Sequence, residues 1–216
     1  MAGCCGQDYE RLFSGRFAKM LAARYRKRGL DKSSRRIADY VRGHGIAGAT
    51  VLEIGGGVGE IQIELLKAGA SRTTNLEVST GYEDDGRRLA AEAGVSDRID
   101  RRLYNIAEDA GPVEPADVVV LHRVVCCYGD YGRLLGAAAD HARRMLVFSH
   151  PPRNPVSRAF YVCFNSVMRM TGNSFRGFAH PPAAMRAVLE KHGLRKAYEH
   201  RGLVWRIAAF ERPAPS

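Results

Sequence analysis

The chain has no run of 18 or more apolar residues among its 216, so no helical bilayer span is expected. Residues Met1 to Gln7 lack the charged-then-apolar layout of a secretory leader, which points to a cytoplasmic protein. Cysteine is scarce, and the five fall as Cys4-Cys5, Cys126-Cys127 and a lone Cys163. An odd count without C-x-x-C spacing signals neither a disulfide framework nor a zinc site, so no metal is expected. Internal repeats and low-complexity tracts are missing, and so is the aromatic-rich signature of an RNA-binding module.

What is there is the balance of a globular enzyme: 45% hydrophobic, 26% charged, with 23 glycines scattered between apolar runs. The length suits one α/β domain with appended elements rather than two independent domains. The formal charge is +10, and residues 1–42 hold 11 Lys or Arg against 4 Asp or Glu, so much of the surplus sits in one N-terminal segment. Such clustering keeps an anionic partner open, nucleic acid included, because counterion release rewards cations on phosphate; nothing else in the sequence favours it.

Apolar spacing then divides the chain. Tyr9, Leu12, Phe13, Phe17, Met20 and Leu21 recur at three- and four-residue steps, Gly29 interrupts the pattern, and a second helix over 33–42 starts after Asp31 as its cap. Strands are predicted at 50–54, 73–77, 100–104, 118–122 and 145–149, with helices 60–68, 83–93 and 131–142 between them. That alternation implies a parallel sheet covered on both faces. Residues 151–180 form a Pro- and Gly-punctuated insertion with a helical middle over 156–171; a helix 182–192 follows, and runs 196–201 and 204–211 read as a hairpin around Gly202. The expected single domain has an N-terminal helical cap (1–46), a ligand-binding core (47–150), a substrate lid (151–180) and a C-terminal helix and hairpin (181–216).

The most informative segment is Val51-Leu52-Glu53-Ile54-Gly55-Gly56-Gly57-Val58-Gly59-Glu60-Ile61: a buried strand, a glycine turn and an amphipathic helix. A Cβ in such a turn would push a ligand off the backbone, and the helix start offers unpaired N–H groups to a polar ligand. Dinucleotide sites use G-x-G-x-x-G, but the sixth position counted from Gly55 is Glu60, which argues against a nicotinamide-dependent oxidoreductase. The pattern here, an acidic residue followed by x-G-x-G-x-G (Glu53, Gly55, Gly57, Gly59), resembles the first motif of the class I S-adenosylmethionine-dependent methyltransferases. A glycine turn without a ligand is the plain alternative.

The resemblance implies a Rossmann-like α/β fold, with a mostly parallel seven-stranded sheet ending in an antiparallel hairpin. It implies S-adenosyl-L-methionine as cofactor and S-adenosyl-L-homocysteine as product. The loop of Glu53, Gly55, Gly56, Gly57 and Gly59 would pack under the methionine part and ribose, and Glu77 would accept hydrogen bonds from both ribose hydroxyls. Where the family usually has an acidic reader of the adenine amino group, this chain departs with Asn105, followed by Ile106 to pack on the adenine plane. His122 and Arg123, at the end of the fourth strand, point to the methyl-transfer region. The stretch 116–128 is further similar to magnesium-protoporphyrin methyltransferases, a likeness limited to about two short segments.

Methyl transfer to an oxygen or amine needs a proton acceptor, and the candidates are His122, His150 and Tyr128, with His180 near the substrate side. For any single one of these histidines, a hydrogen-bonded structural role is the plainer reading. In the insertion, Phe160, Phe164, Val167 and Met168 share a helical face while Arg158 and Arg169 fall elsewhere, as in a lid with an apolar lining; a solvated helix packed on the sheet is the alternative. Arg153, Arg158 and Arg176 suit a carboxylate, so the substrate-binding candidates are Arg158, Phe164, Arg176 and His180. The expected protein is a monomer or homodimer that methylates an O, N or S nucleophile of a small, amphipathic or anionic molecule. The rival is an RNA- or protein-associated methyltransferase-like module that works through its basic N-terminal helices.

Overall fold

The computed structural model describes residue 13 and residues 15–109, 111 and 113–213. The Cys4-Cys5 pair and the start of the first helical pattern, Tyr9 and Leu12, lie outside the described residues. Helix α1 (Gly15–Arg28) ends at Gly29, whose positive φ of 67° stops the helix without the strain a Cβ would bring. Helix α2 (Lys32–Gly43) starts where the sequence placed its cap: Asp31 Oδ1 accepts the N–H groups of Ser33 at 2.8 Å and Ser34 at 2.9 Å.

The chain then runs through β1 (Thr50–Ile54), α3 (Glu60–Lys67), β2 (Arg72–Glu77), α4 (Glu83–Glu92), β3 (Ile99–Leu103) and β4 (Ala116–Leu121). It continues through α5 (Tyr131–Asp140), β5 (Ala142–His150), α6 (Pro155–Met170), α7 (Pro182–Lys191), β6 (Arg195–Arg201) and β7 (Arg206–Glu211). The sheet has the order β3-β2-β1-β4-β5-β7-β6, parallel from β3 to β5 and antiparallel in the β7–β6 hairpin. This is the expected Rossmann-like architecture. Boundaries moved by a few residues: β5 starts earlier than its apolar run, His122 lies just beyond β4, and Val204 belongs to the hairpin turn. A Cβ on Gly202 would strike the Trp205 carbonyl, which fixes that turn on glycine.

Period-two alternation along the strands feeds two cores. Val51, Val118, Val120, Met145 and Val147 pack beneath Ala18, Ala22, Ile37, Val41 and Ile63, so the N-terminal helices and α3 share one face. Leu52, Val119, Leu121, Leu146 and Phe148 meet Leu135, Ala138, Met185 and Leu189 of α5 and α7 on the other. Because β2 and β4 flank β1 on opposite sides, the chain's direction of travel reverses there. The crevice beyond the carboxyl end of β1 is therefore the place where such sheets take ligands.

Helix α6 has no buried residue. It is held through Asn165, whose side chain donates to the Gly177 carbonyl at 3.0 Å and accepts the Gly177 N–H at 2.8 Å. Phe160, Phe164, Val167 and Met168 do share a face, but the expectation that this face is an inward lid lining is corrected. These four span about 100° of helix and only one edge meets the protein, so Phe164 and Met168 are half-buried while Phe160 and Val167 face solvent. Among the described residues no helix is long and apolar enough to cross a membrane.

Candidate functional site

Strand β1 delivers its buried end into the glycine loop, which folds back so that the Gly55 N–H bonds the Leu76 carbonyl at 2.6 Å. Gly55, Gly57 and Gly59 have φ of 65°, 54° and 81°, the left-handed region that other residues resist. A Cβ would strike Val124 from Gly55 and the Gln62 amide from Gly59, whereas Gly57 leaves ordinary clearance, 3.5 Å to the Tyr82 ring. Gly56 is glycine for a different reason: a Cβ there would lie 2.8 Å from the Glu53 carboxyl carbon. Arg101, on β3, braces the loop from beneath. Its Nη2 donates to the Gly57 carbonyl at 2.8 Å and its Nε pairs with Glu83 at 3.0 Å. Gly86 makes room for it, since a Cβ would sit 2.7 Å from the guanidinium carbon.

Above the loop opens a cavity of about 210 Å3. Its walls include Glu53, Gly55, Gly56, Gly57, Glu77, Asn105, Ile106, His122, Arg123 and Tyr128, so most residues singled out in the sequence meet in one place. Gly59 is not on that wall and acts at the start of α3. Phe13, Phe17, Glu60, Tyr82 and Cys127 also line it and were not placed at a ligand site from the sequence.

Glu77 ends β2 with its carboxylate turned back on the backbone. Oε2 accepts the Gly57 N–H at 2.9 Å, and Oε1 accepts Val78 at 2.8 Å and Ser79 at 3.3 Å. With roughly four lone-pair positions on a carboxylate, one on Oε2 is left for a ligand hydroxyl, so a two-hydroxyl grip needs one backbone bond released. Burial raises the proton affinity of Glu77, against the lowering effect of those N–H donors. Burial also pushes Glu53 well up, with the Glu60 charge adding to it, and its Oε2 has no hydrogen-bond partner. Glu60, at the first turn of α3, is raised by burial too. The Asn105 amide oxygen accepts the Ala107 N–H at 3.1 Å, so a purine amino group would share an acceptor already in use.

His122 bridges two hydroxyls: Nδ1 lies 2.9 Å from Ser149 Oγ and Nε2 3.4 Å from Ser33 Oγ. Burial, helped by the neighbouring Arg123 charge, pushes its pKa down to about 3. A neutral ring with so little proton affinity serves as a hydrogen-bond bridge, not as the expected base. Its effect on stability has a definite sign. The unfolded histidine takes up a proton below about pH 6.5 while the folded one stays neutral, so stability present above that pH is lost as pH falls toward 3. His122→Gln keeps hydrogen-bonding capacity without the charge, and its urea midpoint is expected to fall less than the parent's between about pH 6.5 and 4.5. Equal slopes would sink this account.

Arg123 adopts φ 61°, which turns its N–H onto Ser149 Oγ at 2.9 Å. Its guanidinium is committed to Asp31 at 2.6 Å and Ser33 Oγ at 2.9 Å and lies 5.4 Å over the Trp205 ring, so it closes the rim rather than reaching for a ligand. Asp31 takes Arg24 as well, at 3.0 Å. Its carboxyl lies far below the usual range, because capping N–H groups and arginines outweigh the burial that would raise it.

Of the remaining candidates Tyr128 alone lines the cavity, and the others are corrected by position. His150 is buried beside Phe148, bonds the Pro151 carbonyl through Nδ1 at 2.9 Å, and does not line the cavity. His180 bonds the Tyr128 carbonyl at 2.9 Å and stacks on Phe178. Arg176 turns onto its own loop's carbonyls, Asn173 at 2.6 Å and Phe175 at 2.7 Å, while Arg158 is exposed on α6. Phe164 meets Phe175 edge-on at 6.0 Å, and Phe175 meets Phe13 at 5.7 Å, so it reaches the cavity only through that relay. Tyr128 lines the wall with a raised pKa, mainly from burial, and stays a protonated donor.

Neither family models nor curated proteins match the chain. Solved structures do. Magnesium protoporphyrin IX methyltransferase from Synechocystis PCC 6803, with bound S-adenosylhomocysteine, is similar at TM-score 0.68 and 20% identity, over 84% of this chain and 82% of that one. An O-methyltransferase family protein from Burkholderia thailandensis gives TM-score 0.73 and 19% identity over 96% of this chain and 64% of that one. Geranyl diphosphate C-methyltransferase from Streptomyces coelicolor A3(2), in complex with Mg2+, geranyl diphosphate and S-adenosyl-L-homocysteine, gives TM-score 0.64 and 14% identity over 83% and 77% of the two chains. Identities this low speak for the fold, and the chain has the Rossmann-like fold of the class I methyltransferases.

Proposed function

We propose that this protein transfers a methyl group from S-adenosylmethionine to an O, N or S nucleophile of a small amphipathic molecule. The observation that carries the reading is the sign of the cavity. In a chain of net charge +10, its wall holds the carboxyls of Glu60 and Glu77, with Glu53, whose neutral form burial favours, behind them, and the rings of Phe13, Phe17 and Tyr82. Arg123 is neutralised by Asp31 and His122 carries no charge at neutral pH. Such a wall suits a cationic, ring-bearing ligand and repels a pyrophosphate, with Glu60 standing at the helix start where a dinucleotide's phosphates would dock. The neighbours bound to S-adenosylhomocysteine support the same ligand here.

Bound there, S-adenosylmethionine supplies an electrophilic methyl group on a sulfonium. The chain's own residues do the rest. The glycine loop lets the ligand lie against the backbone, Glu77 offers its remaining lone pair to a sugar hydroxyl, and Ile106 supplies an apolar wall. Holding acceptor and donor in line and away from water is worth roughly 7 kcal/mol or more by effective molarity. For an acceptor that must shed a proton, Glu60 is the proposed base: it lines the cavity, burial raises its proton affinity, and Glu77 is occupied with three N–H donors. Protoporphyrin and geranyl diphosphate, named for two neighbours, are amphipathic, which supports that substrate class.

The test is calorimetric titration with S-adenosylhomocysteine, followed by transfer of labelled methyl from S-adenosylmethionine into fractions of a small-molecule extract. Saturable binding and label in a small-molecule fraction are expected. Absence of binding removes the reading.

A further inference from the structure

The solvent face of α6 is its apolar one. Val156, Phe160, Val167 and Met170 recur along one stripe and are 76%, 60%, 48% and 85% exposed. The inner stripe, with Tyr161, Phe164 and Asn165, meets the protein, so apolar side chains lie on both sides of this surface helix, unlike the usual arrangement. Arg158 and Arg169 are exposed on the other flank of the same helix, roughly 150° around from the stripe, and between His141 and Leu189 the sequence carries seven arginines and no Asp or Glu. Helix α1 repeats the pattern: it has no acidic residue in its sequence, and exposed Phe17 and Met20 sit among Arg16 and Lys19. A continuous run of ring contacts joins the two helices, Phe17–Phe13 at 6.2 Å, Phe13–Phe175 at 5.7 Å, Phe175–Phe164 at 6.0 Å and Phe164–Phe160 at 6.1 Å. Phe13 and Phe17 line the cavity, so the α1 patch borders its mouth and the α6 patch is joined to it through Phe175 and Phe164.

We propose that this face docks on an anionic lipid bilayer, with α6 lying in the interface plane, its outer stripe in the acyl boundary and its arginines on headgroup phosphates. A helix of 16 residues gives a contact line about 24 Å long. A second copy of the chain fits poorly, because stacking two such faces would bring arginine rows together with no carboxylate in that stretch to pair them. Nucleic acid would use the arginines but leave Val156, Val167 and Met170 uncovered, since aliphatic side chains offer no stacking surface to bases. The docking stands apart from the proposed methyl transfer; taken with it, an acceptor dissolved in the membrane would enter the cavity without crossing water.

Co-sedimentation of the full chain with vesicles tests this, using phosphatidylcholine alone and phosphatidylcholine mixed with phosphatidylglycerol. Retention on the mixed vesicles at least about tenfold above the neutral ones, and weakened by salt, is expected. Phe160→Ser with Met170→Ser should lower it about tenfold or more with melting unchanged, and Arg158→Gln with Arg169→Gln by about fivefold for each arginine removed. Equal retention on both vesicles overturns the proposal, as does binding that neither variant weakens. So does capture of an RNA homopolymer, unaffected by the serine substitutions, by a protein that ignores the vesicles.

Discussion

Gly57→Val is expected to weaken binding of S-adenosylhomocysteine at least about 100-fold, or about 2.7 kcal/mol, while the protein still folds. The choice among the loop glycines matters. A side chain at Gly55 or Gly59 collides with Val124 or Gln62, and one at Gly56 with Glu53, so loss of binding there would be confounded with loss of structure. At Gly57 the nearest atoms are ordinary contacts, and the added bulk goes beside the Tyr82 ring that forms part of the cavity wall. The cost to folding is the φ of 54°, worth about 1–3 kcal/mol for a branched residue. Calorimetry beside a urea melt separates the two quantities. An unchanged dissociation constant would mean that no ligand lies against this turn.

Glu77→Ala is expected to harm folding and binding together. It removes the acceptor of three backbone N–H groups, Gly57, Val78 and Ser79, in a side chain that is 8% exposed. Leaving such donors unpaired costs about 1–3 kcal/mol each where water cannot reach, so a loss of about 3 kcal/mol or more is expected in a urea melt. Affinity for S-adenosylhomocysteine should fall about tenfold or more. Glu77→Gln keeps one acceptor oxygen but turns an NH2 toward the loop, and should restore melting further than affinity. A variant that melts early yet binds the ligand as the parent does would limit Glu77 to holding the loop.

The sheet was legible because its signals are local. Alternation in Val118–Val119–Val120–Leu121 assigns each side chain to one of two faces, and the glycines after Ile54 announce a turn that only glycine tolerates. Glu77 and His122 were placed by counting to strand ends. What stayed hidden was pairing at a distance. Arg101 under the loop needs Gly86 opposite it, two positions on different elements whose relation no spacing reveals. Glu60 entered only as the glycine that a dinucleotide site would have, and its place in the cavity wall depends on how α3 is aimed. His150 and His180 were drawn to the site by their positions next to prolines. Ring orientation decides such cases, and both rings are spent on backbone carbonyls. The lid helix misled because hydrophobicity was read as burial, whereas α6 carries apolar side chains on both its inner and outer stripes.

Asp31 holds the first turn of α2, Arg24 and the Arg123 guanidinium with a single carboxylate. Any change there frays a helix and at the same moment frees a positive charge beside a chamber suited to a cation. Robustness and ligand affinity are thereby yoked at one position, so a lineage could not drift in the one without paying in the other.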